Sequence, residues 1–114
     1  MLVIMAVTVL NKDNFEEEVT NSDIPVIIDF YADWCMPCKA MSPIFQELSS
    51  EYDGKLKFAK ADTQKEEEMS KFFHISSIPS FALVHNREIK GKLIGSMDKG
   101  DLRDRINKML EKIK

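Results

Sequence analysis

The only two cysteines of the chain are separated by two residues, in Trp34-Cys35-Met36-Pro37-Cys38-Lys39. A bond between them is a weak staple, because the loop it closes is nearly the shortest possible and constrains little of the unfolded chain. If these cysteines matter, they matter chemically. Where such a segment opens a helix, unpaired backbone donors and the positive end of the helix dipole favour thiolate over thiol at Cys35, and Lys39 adds a nearby positive charge. Cys38 falls one turn further in, on the core-facing side, shielded from solvent yet within reach of the Cys35 sulfur. Cys35 then suits a nucleophile that attacks a partner disulfide, and Cys38 suits a resolving thiol that breaks the mixed species and releases the reduced partner. Two plainer readings stand beside this one. The cysteines could be small buried hydrophobes, or half of a zinc site, for which only His74 and His85 remain, too far apart for a paired-histidine motif.

Asp29 is the second anomaly, a carboxylate inside the apolar run Val26-Ile27-Ile28-Asp29-Phe30-Tyr31. Buried without a partner it costs several kcal/mol, so it is expected to be protonated, wet or paired. Lys60, in the middle of Phe58-Ala59-Lys60-Ala61-Asp62, is the obvious partner if the two segments are neighbouring strands. The functional expectation is a raised Asp29 pKa that lets the carboxylate take the proton of Cys38, through water. The alternative is an aspartate at a strand end that faces solvent. Pro79, after Ser76-Ser77-Ile78, reads by itself as an ordinary turn proline, since cis bonds are rare on base rates.

The elements that position these residues follow from periodicity. Val3 to Leu10 reads as a strand buried on both faces, and Asn11 or Asp13 can cap a short helix with Phe15 and Val19 inward. Val26 to Tyr31 is a central strand that ends one turn before the cysteines. Cys38, Met41, Phe45, Leu48 and Tyr52 share one helical face, with Pro43 inside the helix predicting a kink near Lys39 to Met41. Gly54 ends that segment, Lys55 to Ala61 is a strand, and Met69, Phe72 and Phe73 have helical spacing within Lys65 to Phe73. Ser80 to His85 and Glu88 to Gly95 flank Asn86-Arg87 as an antiparallel hairpin. A last helix carries Leu102, Ile106, Met109, Leu110 and Ile113 on one face, with Asp98 as its cap. The order β-α-β-α-β-α-β-β-α predicts an α/β fold, a mixed five-stranded sheet flanked by four helices.

Composition bounds the answer. At 114 residues, within the roughly 100–200 typical of a domain, the chain 1–114 is expected to form a single domain. Its 44% hydrophobic and 31% charged residues are those of an ordinary globular protein, and a net charge of −3 argues against nucleic acid as a partner. The apolar Met1 to Leu10 is too short to span a bilayer, follows no Lys or Arg, and runs into Asn11-Lys12-Asp13-Asn14 without a small-residue cleavage site. A buried first strand is expected over a signal or membrane anchor, and Met5 is an alternative start to Met1. Glu16-Glu17-Glu18 and Glu66-Glu67-Glu68 are read as solvated helix faces.

Taken together, the run Val26 to Lys39, with its buried Asp29 and its Trp-Cys-x-Pro-Cys-Lys core, and the later Ser77-Ile78-Pro79-Ser80-Phe81 resemble the signatures of the thioredoxin family. The resemblance covers roughly Val7 to Leu110 in element order, with Pro43 and Ile78-Pro79 at family-like separations. It implies the thioredoxin fold and thiol-disulfide exchange with Cys35 attacking, Cys38 resolving, and Asp29 with Lys60 handling the proton. It also implies that Pro79 is cis and lies against the dithiol. The Ile78 backbone would pair with an extended partner segment, and Trp34, Met36, Pro37, Ile78 and the Gly95 region would rim an apolar docking surface. For Trp34 the alternative is a partly buried core aromatic. The size of the thiol pKa depression and of the reduction potential comes from the family in this reading, not from these residues.

Three positions depart from the family pattern: Met36 where Gly is usual, Tyr31 where Trp is more frequent, and Arg87 where a turn Gly is common. Met36 places a bulky, oxidisable side chain beside the sulfurs, with consequences for potential and choice of partner. Arg87 suggests another turn geometry. The expectation is a cytoplasmic, monomeric reductant of disulfide-containing proteins, without bound cofactor or metal, re-reduced by an electron donor of the thioredoxin reductase type. The alternatives are an oxidase or isomerase on the same fold, and a non-redox docking module.

Overall fold

The computed structural model describes residues 7–113. Five strands, β1 (Val7–Val9), β2 (Val26–Tyr31), β3 (Lys57–Asp62), β4 (Ser80–His85) and β5 (Glu88–Ile94), form one mixed sheet in the order β1-β3-β2-β4-β5. β1 and β2 pair parallel to β3, while β4 runs antiparallel to both β2 and β5. The helices are α1 (Met36–Ser49), α2 (Glu67–Phe72) and α3 (Lys99–Lys112), with a short π-helix at Glu16–Thr20 and a 3-10 turn at Ser50–Tyr52. The α/β architecture expected from periodicity is the one observed.

The pleat divides the core into two layers, because alternate residues of each strand point to opposite faces. Ile27, Phe58, Phe81 and Leu83 pack with Met41, Phe45 and Leu48 of α1 and with Leu102 and Ile106 of α3. The Phe45 ring stands 4.8 Å from Phe58 and 5.7 Å from Phe81. On the other face Ile28, Phe30, Ala59, Ala61 and Ala82 meet Leu10, Val19 and Phe73. The helix faces follow from the apolar spacing of three and four, and the Asp98 carboxylate caps α3 by accepting from the Asp101 N–H at 2.8 Å.

Several local expectations are corrected. β1 is an edge strand with Val9 55% exposed, so it is not buried on both faces; the Val3–Ala6 part of the expected strand, and the alternative starts at Met1 and Met5, lie outside the described residues. Asn11 does cap the turn that follows it, its Oδ1 accepting from the Asp13 and Asn14 N–H groups, but the short helix beyond has π geometry. Phe72 points outward at 65% exposure and leaves the inward role to Phe73. Asn86 and Arg87 take φ of 52° and 67°, successive left-handed residues between the paired His85 and Glu88. This is the turn that Asn-Gly favours, so Arg87 is held in a backbone conformation suited to glycine and no other loop geometry is adopted.

Candidate active site

β2, the central strand, and the loop after it deliver the cysteines to the C-terminal end of that strand. Cys35 is the residue before α1, in extended conformation, and its Sγ accepts the Cys38 N–H at 3.2 Å. Pro37 stands in the first turn, where a missing N–H costs no intrahelical bond. Cys35 and Cys38 are joined by a disulfide with their Cα atoms 5.2 Å apart, and the two residues are only 4% and 3% exposed. They pack with Ala32 and against the half-buried Tyr31 and Ile78. A Cys38 N–H donated to this sulfur at the positive end of the helix dipole is the arrangement that favours a thiolate at Cys35 once the bond is reduced.

Beside the disulfide the chain turns through a cis Ile78-Pro79 bond. The Ser80 hydroxyl donates to the Ser77 carbonyl at 2.6 Å, and the Gly95 N–H donates to the Pro79 carbonyl at 2.9 Å. Gly95 has φ +99°, a value that a side chain would strain. Trp34 and Met36 are exposed at 66% and 70%, which sets aside the partly buried reading of Trp34. They place exposed apolar side chains on either side of Cys35 in the chain, while the sulfur pair itself is nearly covered; Ile94, paired with Ser80 after Pro79, is exposed at 60%.

Asp29 is 4% exposed, which sets aside the solvent-facing alternative. Lys60 is its register partner on β3, as the sequence anticipates for neighbouring strands. They form no ion pair, however: Asp29 Oδ1 has no hydrogen-bond partner, and the Lys60 ammonium stands 5.6 Å from the centre of the Tyr31 ring. Burial pushes the Asp29 carboxyl up to about 7, against the opposing pull of the Lys60 charge. A cavity of about 230 Å³ connects this carboxylate with Cys38, Lys39, Ser42 and Lys60, roomy enough for several waters.

Sequence reasoning missed the contact of Tyr31 with Lys60. The signal was present: Tyr31 lies two residues from Asp29 on one strand, hence on the same face as the lysine opposite. Lys92 and the Gly95 N–H were missed as supports of the Pro79 loop, because neither contact is local in sequence. Among the described residues, no group of three or more His, Cys, Asp or Glu is arranged to hold a metal ion. No described helix is long and apolar enough to cross a membrane.

Comparison with known proteins converges on this geometry. The sequence profile of the thioredoxin family matches residues 6–108. The chain is 41% identical over 101 residues to a thioredoxin of Rickettsia felis, covering 89% of this chain and 96% of that one. It is 37% identical over 98 residues to a thioredoxin of Haemophilus influenzae, covering 86% and 92%. To the chloroplastic M-type thioredoxin of Spinacia oleracea it is 38% identical over 101 residues, covering 89% and 56%. With the mixed sheet, the Cys35–Cys38 bond at the mouth of α1 and a family match over nearly its whole length, the chain belongs to the thioredoxin family of thiol-disulfide oxidoreductases.

Proposed function

We propose that this protein is a cytoplasmic reductant of protein disulfides, acting as a monomer, and that the Cys35–Cys38 pair carries both electrons without a bound cofactor. The observation that carries the reading is the Cys38 N–H donated to Cys35 Sγ at the start of α1, beside the Pro79 turn. In the reduced protein the Cys35 thiolate attacks one sulfur of a partner disulfide; that S–S bond breaks, and the second partner sulfur leaves as a thiolate that takes a proton from water. Asp29 accepts the Cys38 proton through water in the cavity between them, and the Cys38 thiolate attacks Cys35 Sγ. The bond between Cys35 and the partner breaks, its sulfur leaves as a thiolate that takes a second proton from water so that the partner departs as a dithiol, and the Cys35–Cys38 disulfide holds the two electrons' worth of oxidation. Lys60 modulates the Asp29 charge from the next strand.

Docking of the partner falls to the rim of Trp34, Met36, Pro37, Ile78 and Gly95, where an extended segment can pair with the free backbone beside Pro79. A donor of the thioredoxin reductase type returns the electrons. The test is the equilibrium reduction potential of the Cys35–Cys38 couple in a defined thiol buffer, followed by the fluorescence of Trp34, the only tryptophan. A strongly reducing value supports the reductase, since electrons then flow from this dithiol to most protein disulfides. A value toward the oxidising end overturns it and makes the protein an oxidase or isomerase, with Met36 the first residue to replace.

A further inference from the structure

α2 buries no side chain of its own, yet Ile75 to Ile78 in the chain leaving it form one wall of a groove that reaches the disulfide at Ile78. That groove, about 350 Å³, is lined by Trp34, Glu67, Lys71, Ser76, Ser77 and Ile78. The far end of the wall is fixed by Ser80 and Gly95 through the Ser77 and Pro79 carbonyls. The near end is tied to α2 by the His74 and Ile75 N–H groups, which donate to the Lys71 and Ser70 carbonyls, and has two further anchors. Phe73 is buried to 1% in the core, and Lys92 of β5 donates from Nζ to the Phe73 carbonyl at 2.9 Å and to the His74 carbonyl at 3.0 Å. Lys92 is paired with Ala82, whose side chain lies in the same core layer as Phe73, so its stem crosses the sheet face that the short α2 leaves uncovered.

The two carbonyls suit such a partner. They belong to the C-cap residue of α2 and the residue after it, where carbonyls lack intrahelical donors and a cation is favoured. The second belongs to His74, held at φ +55°, a left-handed conformation that a β-carbon disfavours and glycine would accept. Without the ammonium, the strained turn is held only by the backbone bonds from the His74 N–H to the Lys71 carbonyl and from the Ile75 N–H to the Ser70 carbonyl and by the packing of Ile75, which leaves the Ser76–Ile78 stretch beyond it less firmly set.

We propose that Lys92 is a positioning residue for protein substrates: by clamping the Phe73 and His74 carbonyls it sets the Ile75–Ile78 wall of the docking groove against Trp34. The proposal rests on the reading of that wall as the partner-docking surface. It acts on the fit of a polypeptide and not on the sulfurs, so small disulfides that need no groove are indifferent to it.

The experiment compares the full-length wild type with Lys92→Met, which keeps the stem and removes the donor, and with Lys92→Arg, which restores donors. Each is assayed for reduction of the insulin interchain disulfides and of 5,5′-dithiobis(2-nitrobenzoate), with dithiothreitol as electron source, and for its reduction potential. Lys92→Met is expected to raise KM for insulin roughly fivefold at unchanged kcat, the signature of lost uniform binding, with the small-disulfide rate and the potential unmoved. Lys92→Arg is expected to recover most of the difference. An unchanged insulin KM overturns the proposal. So does a parallel fall in both activities with a shifted potential, or failure of Lys92→Met to fold, since either makes the residue a general structural one. A wild type that reduces the small disulfide but not insulin overturns the reductase reading itself, and the role of Lys92 falls with it.

Discussion

Asp29 and Lys60 stand opposite each other on parallel strands without joining: the carboxylate keeps an unpartnered buried oxygen, and the ammonium lies over the Tyr31 ring. A direct ion pair would hold the aspartate ionised at all ordinary pH and leave it useless as a proton acceptor. Separated, the lysine charge only partly offsets the cost of burial, and the carboxyl titrates at about 7, where it can exchange a proton with a thiol.

That arrangement predicts a pH dependence of stability. The Asp29 pKa is raised from 3.8 to about 7 on folding, so between these values the folded protein holds a proton that the unfolded chain has released. Stability from this group is therefore fully present below about pH 4, falls as pH rises, and is lost above about pH 7, a total of order 4 kcal/mol. Asp29→Asn is expected to be more stable than the wild type at pH 8.5 and to lose that advantage near pH 4, checked by urea unfolding at both values. The same variant is expected to slow the resolving step, read as a longer-lived mixed disulfide in rapid-quench experiments.

Single cysteine replacements separate the two sulfur roles. Cys35→Ser is expected to abolish reduction of protein disulfides, since no other thiol is placed to begin attack. Cys38→Ser is expected to accumulate a one-to-one mixed disulfide with the partner, detected as a covalent adduct by mass spectrometry and reversed by dithiothreitol.

The strained hairpin offers a stabilising change. Arg87 holds φ 67° and gains one exposed hydrogen bond, from Nη2 to Asn21 Oδ1 at 3.2 Å. Arg87→Gly removes a left-handed cost of about 1 kcal/mol or more and gives up part of that to the greater freedom of glycine in the unfolded chain. A net gain of about 0.5 kcal/mol is expected as a higher urea midpoint at unchanged slope.

Gly91 marks a close approach of β5 to α3. A β-carbon there would lie 2.7 Å from Met109 Sδ and 3.3 Å from its Cγ. Because the clash meets the far end of a flexible side chain, Gly91→Ala is expected to cost only about 1 kcal/mol. Met109→Ala should absorb most of that cost, so a double-mutant cycle in thermal unfolding shows the pair to be non-additive.

The order of elements, the faces of α1 and α3, and the cysteine pair at a helix mouth are legible in the chain without coordinates. These rest on local periodicity and capping, which one stretch of chain expresses alone: Cys38, Met41, Phe45 and Leu48 at spacings of three and four, or Asp98 before Asp101. The sequence also singles out Asp29, since a carboxylate in an apolar run is visible without coordinates. The tertiary structure decided what depends on residues distant in sequence. Strand order put β1 at an edge and exposed Val9. Register set Lys60 opposite Asp29, but the side-chain path over Tyr31 determined that they do not pair. The support of the Pro79 loop by Gly95 and Lys92 arises only when β5 is laid beside β4, because hydrogen bonds between carbonyls and donors 16 to 19 residues apart leave no periodic mark in the chain.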